Sequence, residues 1–406
     1  MPSNWPQIAA YDSPEEYDQV LPNGWRLARI ESIFEQLSVG KRFEKKTTLD
    51  NGKIPVIDQS ESGIIGWHDE APGIYASQDR PVVTFANHTC EMRWVEHPFS
   101  VIQNVFPMIG KDKVCDTRFL YYGTKGRVHL EEYKGHFPDY RRKWIAVPPL
   151  AEQQAVASFL GALDTKINLN RQTNKTLEEM ARAIFKDWFV DFGPTRAKME
   201  GRSPYLAPEF WNLFPEKFDE EGTPESWTRR PLIDLCQLKR GYDLPTDLRT
   251  EGQYPIVSSS GVSGYHAQAM ADAPGVVTGR YGTIGQVFFV ETDFWPLNTS
   301  LYVKDFKGNS RRFVFHTLSG LDFQQYSDKG AVPGINRNDL HQSPVVIPSA
   351  RIQGAFEDVL SPFWKQATLN ESEANTLAQT RDLLLPKLMS GELRVRDAEH
   401  VGGQVV

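Results

Sequence analysis

The spacing of hydrophobic residues changes near residue 151, where short alternating runs give way to a helical seam. From there, seam residues recur at alternating steps of four and three. This spacing, kept for more than four heptads, predicts a long helix that packs against a second helix. The seam positions are Val156, Leu160, Leu163, Ile167, Asn170, Asn174, Leu177, Ala181, Ile184 and Trp188.

The same seam returns 200 residues later, at Phe356, Leu360, Phe363, Ala367, Asn370, Ala374, Leu377, Arg381, Leu384 and Leu388. A buried Asn in such a seam lowers stability but fixes the register of the partners. We therefore assign Asn170, Asn174 and Asn370 as register residues and expect the two helices to pair as an antiparallel coiled coil. The alternative is that each helix packs only on its own domain. Pro362 and Pro386 predict a kink or an early end in the second helix.

The chain ahead of each helix is rich in predicted strands and is also repeated. Short β-type runs, such as the one at 81–85, stand between Gly, Pro, Asn and Asp residues. The sequence Ile-Pro-Val-Ile at 54–57 returns as Tyr-Pro-Ile-Val at 254–257, and the Gly-containing segment at 63–67 returns at 261–265. A repeat this long is a duplicated domain rather than a solenoid unit. The predicted fold class is α+β, with two mixed domains and two long helices in a pseudo-two-fold repeat.

These patterns divide the chain into seven predicted segments. They are an N-terminal extension at 1–20, a first mixed domain at 21–149, a helical region at 150–192, a linker at 193–222, a second mixed domain at 223–348, a second helical region at 349–392 and a tail at 393–406. The linker is rich in Pro, Gly and charge, and its first part is predicted to be irregular.

Composition narrows the classes of function. The 406 residues carry a net charge of −7, so the chain as a whole does not indicate nucleic-acid binding. The charge is uneven, because residues 41–146 hold 16 Lys and Arg against 14 Asp and Glu, and residues 229–347 hold 12 against 11. Two slightly basic domains are compatible with a polyanionic ligand.

The cysteines and the apolar runs indicate a cytoplasmic protein. Cys90, Cys115 and Cys236 are isolated in sequence, which disfavours a disulfide framework or a zinc site and fits a reducing compartment. We expect neither a signal peptide nor a membrane-spanning segment, because the N-terminus is polar and acidic and the apolar runs are short.

The chain lacks a recognisable catalytic motif. A DNA amino-methyltransferase needs an Asp/Asn-Pro-Pro-aromatic sequence, which the only Pro-Pro pair, Pro148-Pro149, does not provide. The Gly-rich turn at 279–285 lacks the Lys-Ser/Thr ending of a phosphate loop and is better interpreted as a turn that exposes Arg280 and Tyr281. We therefore expect a binding protein rather than an enzyme, with no metal or cofactor bound by this chain.

Polar and basic clusters recur at matching places in the two domains, but their residues differ. DNA recognition uses Lys and Arg for phosphates and Arg, Asn, Gln, Ser or Tyr at loop tips for base edges. Two modules with equivalent frames and different loops would suit two different DNA sequences. The candidates in the first domain are Lys41, Arg42, Lys45, Gln59, Ser60, Ser62, Arg141 and Arg142. Those in the second domain are Lys239, Arg240, Tyr242, Ser258, Ser259, Ser260, Arg280, Tyr281, Asn336 and Arg337.

Three segments resemble the specificity subunit of a type I restriction–modification system. Their sequences are VPPLAEQQAVASFL at 147–160, ARAIFKDWFVDFGP at 181–194 and LLPKLMSGEL at 384–393. The resemblance covers the chain from about Leu21 to Leu393.

The resemblance implies a non-catalytic subunit that defends the cell against foreign DNA. Each of two target-recognition domains would read a short half-site of double-stranded DNA through the major groove, and the paired helices would set the gap between the half-sites. Two methyltransferase subunits would bring S-adenosylmethionine for adenine methylation. Restriction subunits would bring ATP and Mg for translocation and cleavage.

The aromatic residues at the end of the first long helix have two interpretations. Phe185, Trp188, Phe189 and Phe192 are either core residues or a docking patch for a methyltransferase subunit. Trp188 lies on the seam and favours the core, whereas Phe189 and Phe192 fall partly off it and are equally compatible with the patch.

The sequence leaves two other classes of function open. One is a duplicated adhesion or carbohydrate-binding protein, which the expected absence of a secretion signal disfavours. The other is a nuclease or methyltransferase complete in one chain, which the missing motifs disfavour. A steep salt dependence of DNA binding would distinguish the first from a DNA-binding protein.

Overall fold

The computed structural model describes residues 11–17, 20–60, 62–130, 134–326 and 334–395. Glu61 and most of the predicted N-terminal extension and tail lie outside the described residues. The chain divides into two compact units, a first unit of Met1–Gln172 with Asn370–Val406 and a second unit of Thr173–Leu369. Each unit therefore contains one mixed domain and a part of each long helix, so the units do not follow the predicted segment boundaries.

The first unit builds its mixed domain from small sheets and two short helices. Its elements are β1 Arg26–Arg29, β2 Phe34–Gln36, β3 Ile54–Ile57, β4 Ile64–His68, β5 Val82–Ala86, β6 Met92–Val95, β7 Ser100–Val101, β8 Val105–Gly110, α1 Thr117–Thr124, α2 Phe137–Arg142, β9 Trp144–Val147 and the long helix α3 Leu150–Phe189, with 3-10 helices at Pro14–Glu16, Ile30–Ser32 and Lys45–Thr47. β1 pairs with β9, the four-stranded sheet has the order β2-β8-β5-β6, and the three-stranded sheet has the order β4-β3-β7.

The second unit repeats this topology strand for strand. Its elements are α4 Gly193–Met199, α5 Pro208–Trp211, β10 Thr228–Pro231, α6 Leu232–Leu235, β11 Gln237–Arg240, β12 Tyr254–Ser258, β13 Gly261–His266, β14 Gly275–Gly279, β15 Val287–Val290, β16 Trp295–Pro296, β17 Ser300–Asp305, α7 Arg311–Ser319, α8 Arg337–His341, β18 Pro344–Ile347 and the long helix α9 Ala350–Ser390, with 3-10 helices at Thr246–Leu248 and Phe323–Tyr326. The sheets are β10-β18, β11-β17-β14-β15 and β13-β12-β16. The duplication expected from the sequence is thereby confirmed.

The largest core of each unit joins the four-stranded sheet to a short helix and to the long helices. In the first unit, Phe85 of the sheet, Leu120 of α1, Leu160 of α3 and Leu385 of α9 belong to one buried cluster. The corresponding cluster of the second unit contains Val276, Phe313, Trp188 and Phe356. Each mixed domain therefore rests on both helices, and removal of a helix would expose a large apolar surface.

Every predicted seam position is buried or partly buried, so the helical periodicity is confirmed. α9 continues through Pro362 and Pro386 to Ser390, and the predicted early end is therefore wrong. Burial of the neighbouring seam residues Leu360 and Leu388 offsets the cost of a proline inside a helix. No helix of the described ranges is long and apolar enough to cross a membrane.

Contacts within each unit show that the two helices pair in opposite directions. In the first unit, Asp164 pairs with Arg381 at 2.5 Å, whereas Asn170, further along α3, donates to Glu373 at 2.7 Å. In the second unit, the Asn174 side-chain amide donates to the Ala367 carbonyl at 3.0 Å. Asn170 and Asn174 thus bond across the helix pair, and the assignment of the seam asparagines as register residues stays a prediction.

A buried glutamine ties the start of α3 to the first mixed domain. The Gln153 side chain accepts a hydrogen bond from the Asp116 backbone N–H at 2.9 Å. It also donates to the carbonyls of Pro148 at 2.9 Å and Val114 at 3.1 Å. Asp116 is the N-cap of α1, so this side chain links the first turn of α3 to the start of α1.

Gln353 does the same at the start of α9. Its side chain accepts from the backbone N–H of Ser310, the N-cap of α7, at 2.8 Å. It donates to the Pro348 carbonyl at 3.2 Å and the Asn309 side chain at 2.8 Å. The glutamine recurs together with its bonds to the N-cap N–H and to the proline carbonyl, whereas its third partner changes from a backbone carbonyl to a side chain.

The first part of the linker is helical, which corrects the prediction of an irregular segment. α4 spans Gly193–Met199, and Phe192 ahead of it adopts a left-handed conformation with φ 53°. Pro194 suits the first turn of a helix because that turn does not use its N–H, and burial of Ala197 fixes the helix on the unit.

We expect Gln153→Ala to lower the free energy of unfolding by about 1–3 kcal/mol, because buried backbone groups lose their partners. The matched control is Gln154→Ala, since Gln154 is the exposed neighbour on the same helix turn. Denaturant midpoints of the purified variants measure the effect. Equal midpoints for the two variants would contradict the structural role of Gln153.

Candidate nucleic-acid interface

Each mixed domain has one strand end beside a long helix and an opposite, distal end. In the first unit, Trp94 and Glu96 at the end of β6 line a cavity with Asp164 of α3. β5 runs antiparallel to β6, so the β5–β6 turn at 87–91 lies at the other end of both strands. In the second unit, β15 ends near Glu291 beside α9, and the residues after β14 lie distally.

Polar side chains from separate segments meet at the distal end of the first unit. The His88 backbone N–H donates to the Gln59 side chain at 2.9 Å. The His88 ring lies 3.0 Å from the Lys134 carbonyl through Nδ1 and 3.2 Å from the Asn104 amide through Nε2. We call Gln59, His88 and Asn104 the first tip cluster.

The second unit has a counterpart with different residues. The backbone N–H groups of Arg280 and Tyr281 donate to the Thr299 carbonyl at 2.8 and 3.1 Å, and the Ser259 N–H approaches the Thr299 hydroxyl at 3.4 Å. The Arg280 guanidinium lies 4.3 Å from the centroid of the exposed Tyr281 ring. We call Ser259, Arg280, Tyr281 and Thr299 the second tip cluster.

The two tip clusters occupy the same backbone frame. Asn87, directly after β5, donates to the Asn104 carbonyl at 2.9 Å, just as Arg280, directly after β14, donates to Thr299 at 2.8 Å. Asn104 and Thr299 each stand one residue before the next strand of the sheet. The frame is therefore shared, whereas the side chains that it presents differ in charge, size and hydrogen-bonding groups.

A hairpin tip borders each cluster. In the first hairpin, Ser60 donates to Asp58 at 2.7 Å and lies 2.9 Å from the hydroxyl of exposed Ser62. In the second hairpin, Ser258 is buried and donates to the Gly261 carbonyl at 2.9 Å, which leaves Ser260 exposed. Ser258 therefore stabilises the turn and does not face solvent, whereas Ser260 does.

Different side chains pack against the glycines of the two hairpin tips. Gly63 and Gly261 have φ of +77° and +103°, a conformation that favours glycine. The Arg93 guanidinium lies against Gly63 and donates to the Ser60 carbonyl. In the second unit the Phe288 ring takes the place of that guanidinium against Gly261.

The predicted basic residues of the first domain have unequal roles. Lys41 is exposed but pairs with Glu70 at 2.5 Å. Arg42 is half-buried and donates to the Ile102 carbonyl at 2.9 Å, so it braces the loop that leads to the first tip cluster. Lys45 is exposed in its short 3-10 helix.

The matching residues of the second domain form a contact chain. Lys239 donates to the Tyr242 hydroxyl at 2.9 Å, which lies 3.1 Å from the Tyr302 hydroxyl. The hydrogen bond from Lys239 is the main reason that the pKa of Tyr242 is lowered. Arg240 is exposed near Asp243, at 3.6 Å.

The predicted match between Arg141-Arg142 and Asn336-Arg337 is wrong. Arg141 and Arg142 lie in the last turn of α2, and Arg141 pairs with Glu31 at 3.2 Å. Asn336 caps the start of the equivalent helix α8, directly before Arg337. The two pairs therefore stand at opposite ends of equivalent helices. Asn336 and Arg337 directly follow Ile335, whose N–H donates to the Arg280 carbonyl of the second tip cluster.

Sequence reasoning missed His88, Arg93, Asn104, Phe288 and Thr299. Within each unit, these residues come from different turns or strands. Their proximity depends on how the four-stranded sheet and the hairpin of that unit pack. The local sequence around each is ordinary for a turn or a sheet residue. The equivalence of Asn104 and Thr299 follows from the observed strand order and not from the spacing of the sequence repeat.

A comparison with protein families accounts for this duplicated architecture. The sequence profile described as "Type I restriction modification DNA specificity domain" matches residues 22–179 and again residues 224–379. The chain belongs to this family. It is a type I specificity subunit, the part that recognises DNA sequence rather than a catalytic part.

Similar proteins agree with this assignment. The type I restriction enzyme MjaIX specificity subunit of Methanocaldococcus jannaschii is 24% identical over 74% of this chain and 74% of its own length. The HindI specificity subunit of Haemophilus influenzae is 24% identical over 61% of this chain and 69% of its own length. The fold is similar to the crystal structure of a type I S subunit from M. genitalium, with a TM-score of 0.55, 16% identity, and coverage of 91% and 98% of the two chains.

The aromatic docking patch predicted for this specificity subunit is wrong. Phe185, Trp188 and Phe189 are buried in the core of the second unit, and Phe192 is half-buried with its ring 5.8 Å from that of Trp227. Phe189, which falls partly off the helix seam, is covered by the domain helix α7, since its ring centroid lies 4.9 Å from that of Phe313. A charge at Phe189 would therefore disrupt folding rather than only docking.

His316 of this specificity subunit is buried in the same aromatic core. Its ring stacks on Phe185 at 5.3 Å between centroids, and its Nε2 is buried without a hydrogen-bond partner. Burial, aided by the positive charges of Arg312 and Arg182, lowers the pKa of His316 to about 3. The folded chain therefore holds this ring neutral.

We expect His316 to make this unit less stable in acid. The unfolded chain protonates the ring near pH 6.5, so stability from the neutral ring is complete above pH 6.5 and is lost as pH falls toward about 3. His316→Phe keeps an aromatic ring but cannot titrate. Denaturant midpoints from pH 7 to pH 4 should fall less steeply for this variant than for the wild type, and parallel profiles would contradict the assignment.

Proposed function

We propose that this specificity subunit reads a bipartite, asymmetric DNA target, with one half-site for each unit. The observation that supports the proposal is the pair of tip clusters, which share one backbone frame and differ in side chains. A shared frame would present recognition residues to DNA in the same way, and different side chains would select different bases. Glutamine, asparagine, arginine and serine, which these clusters carry, are the usual donors and acceptors to base edges.

The surrounding basic residues suit contacts to the DNA backbone. Lys45, Arg240 and Arg337 are exposed beside polar loops, where a phosphate could replace water or a weak surface ion pair. Such contacts position a protein on DNA without selecting a sequence. We therefore assign sequence selection to the tip clusters and hairpin tips, and assign phosphate binding to these cations.

Catalysis would belong to partner subunits. We propose two methyltransferase subunits that use S-adenosylmethionine to methylate adenine within the half-sites. We further propose restriction subunits that use ATP and Mg to cleave unmodified foreign DNA. The assembly would act in the cytoplasm on double-stranded DNA and would need no membrane.

Modified-base sequencing of host DNA tests the proposal directly. The gene is deleted in cells that keep the methyltransferase partner, and methylated motifs are compared with those of the parent strain. We expect a methylated motif of two short half-sites around a fixed unread gap, present in the parent and absent after deletion. A continuous motif, or methylation that does not depend on the gene, would contradict the proposal that each unit reads one half-site.

The second tip cluster provides a residue-level prediction. We expect Arg280→Ala to weaken binding to the methylated motif by about 1–3 kcal/mol and to relax one base position of one half-site, because an arginine can pair with a guanine through two hydrogen bonds. Binding to a panel of duplexes with single-base changes measures both effects.

Arg229→Ala is the matched control, since Arg229 is an exposed arginine on β10 away from the cluster. An equal loss of affinity for all duplexes in the Arg280 variant would make Arg280 a phosphate contact. Loss of the folded state would make it structural.

A further inference from the structure

Both hairpins place a branched aliphatic residue directly beyond the polar tip. Ile64 begins β4 and is 40% exposed, and Val262 near the start of β13 is 49% exposed. In the strand register, Ile64 pairs with Ile57 and Val262 pairs with Val257. The two exposed residues therefore occupy the same position in the two units.

The strands that carry these residues are sheet edges. β4 and β13 are the outer strands of their three-stranded sheets. Leu49 forms an isolated β-bridge with Trp67 of β4, three residues beyond Ile64. The paired residues Ile57 and Val257 are buried, whereas Ile64 and Val262 remain in solvent. An aliphatic side chain at an exposed strand position beside serines gains little from the fold itself.

The proposed DNA target offers an apolar group for this position. If each half-site contains an adenine that is methylated, each also contains a thymine in the pairing strand. Thymine exposes its 5-methyl group in the major groove, and proteins recognise that group through apolar contact. Ser, Gln and Arg at the tips can read hydrogen-bonding groups, but they cannot read a methyl group.

We infer that Ile64 and Val262 each contact the 5-methyl group of a thymine in the half-site read by their own unit. This inference rests on the proposed function. It assigns to the hairpins a specificity for a methyl group, beside the hydrogen-bonding specificity of the tip clusters. A 5-methylcytosine would offer the same methyl group at a different base pair.

The probe for this contact is deoxyuridine, which pairs like thymidine but lacks the methyl group. The full chain with its methyltransferase partner is tested by competition binding against duplexes of the methylated motif in which each thymine in turn is replaced by uracil. Burial of one methyl group corresponds to about a fourfold change in affinity. We expect about this loss for the wild type at one thymine of each half-site.

The variants Ile64→Ser and Val262→Ser assign the effect to residues. We expect Ile64→Ser to abolish the response to uracil in one half-site and leave the response in the other half-site unchanged, with the reverse result for Val262→Ser. Leu49→Ser and Leu248→Ser are matched controls, since both remove an exposed aliphatic residue of the same unit away from the tip. The controls should keep both responses.

Two results would overturn the inference while leaving the proposed function intact. One is motif-specific binding that no uracil substitution weakens. The other is a uracil response that persists unchanged in both serine variants. Failure of the proposed function looks different, because the wild-type complex would then not discriminate the motif from a scrambled duplex. The variants Ile64→Val and Val262→Ile keep an apolar contact and should retain the responses, which separates loss of the methyl contact from loss of folding.

Discussion

The buried glutamine at the start of each long helix is the interaction on which the recognition domains depend. Gln153 and Gln353 each bond both to the N-cap of a domain helix and to the carbonyl of the proline that directly follows the last strand of the domain. One planar amide thus fixes three chain segments whose backbone groups would otherwise be buried without partners. Since the strand ends beside the helices are fixed in this way, the tip clusters at the opposite ends are held by rigid sheets rather than by the loops themselves.

The periodic parts of this structure could be predicted from the sequence, whereas the candidate site could be predicted only in part, through residues such as Gln59 and Arg280. Seam residues such as Ile167 and Leu360 can be identified from their spacing in the sequence, because one helix face must be buried over its whole length. The tip clusters have no period: Gln59, His88 and Asn104 come from three turns, and their meeting depends on sheet packing. The prediction of a docking patch was wrong for a related reason. The spacing of apolar residues identifies the helix face toward the partner helix, but it does not identify the face that α7 covers.

The two copies also differ where they meet the helices. In the first unit, the Tyr122 hydroxyl donates to Asp164 at 2.6 Å, and Asp164 pairs with Arg381. In the second unit, the corresponding position on α7 is His316, which packs among aromatic rings near Trp364. A charged network and an aromatic cluster therefore support the same backbone. In other proteins, replacement of a buried ion pair by well-packed apolar residues of similar volume is often neutral or stabilising.

This tolerance explains how one frame can carry two recognition surfaces. Gly63 lies on the Arg93 guanidinium and Gly261 on the Phe288 ring, yet both hairpins keep the left-handed glycine and the same strand partners. What the two hairpins must keep is the backbone conformation at these glycines, because a Cβ at either position would collide with its neighbour or be strained. If the exposed side chains at the tip read DNA as proposed, they can change with the target because the backbone does not depend on them. Selection for a new target would then alter residues such as Arg280 and keep the glutamines and the hairpin glycines.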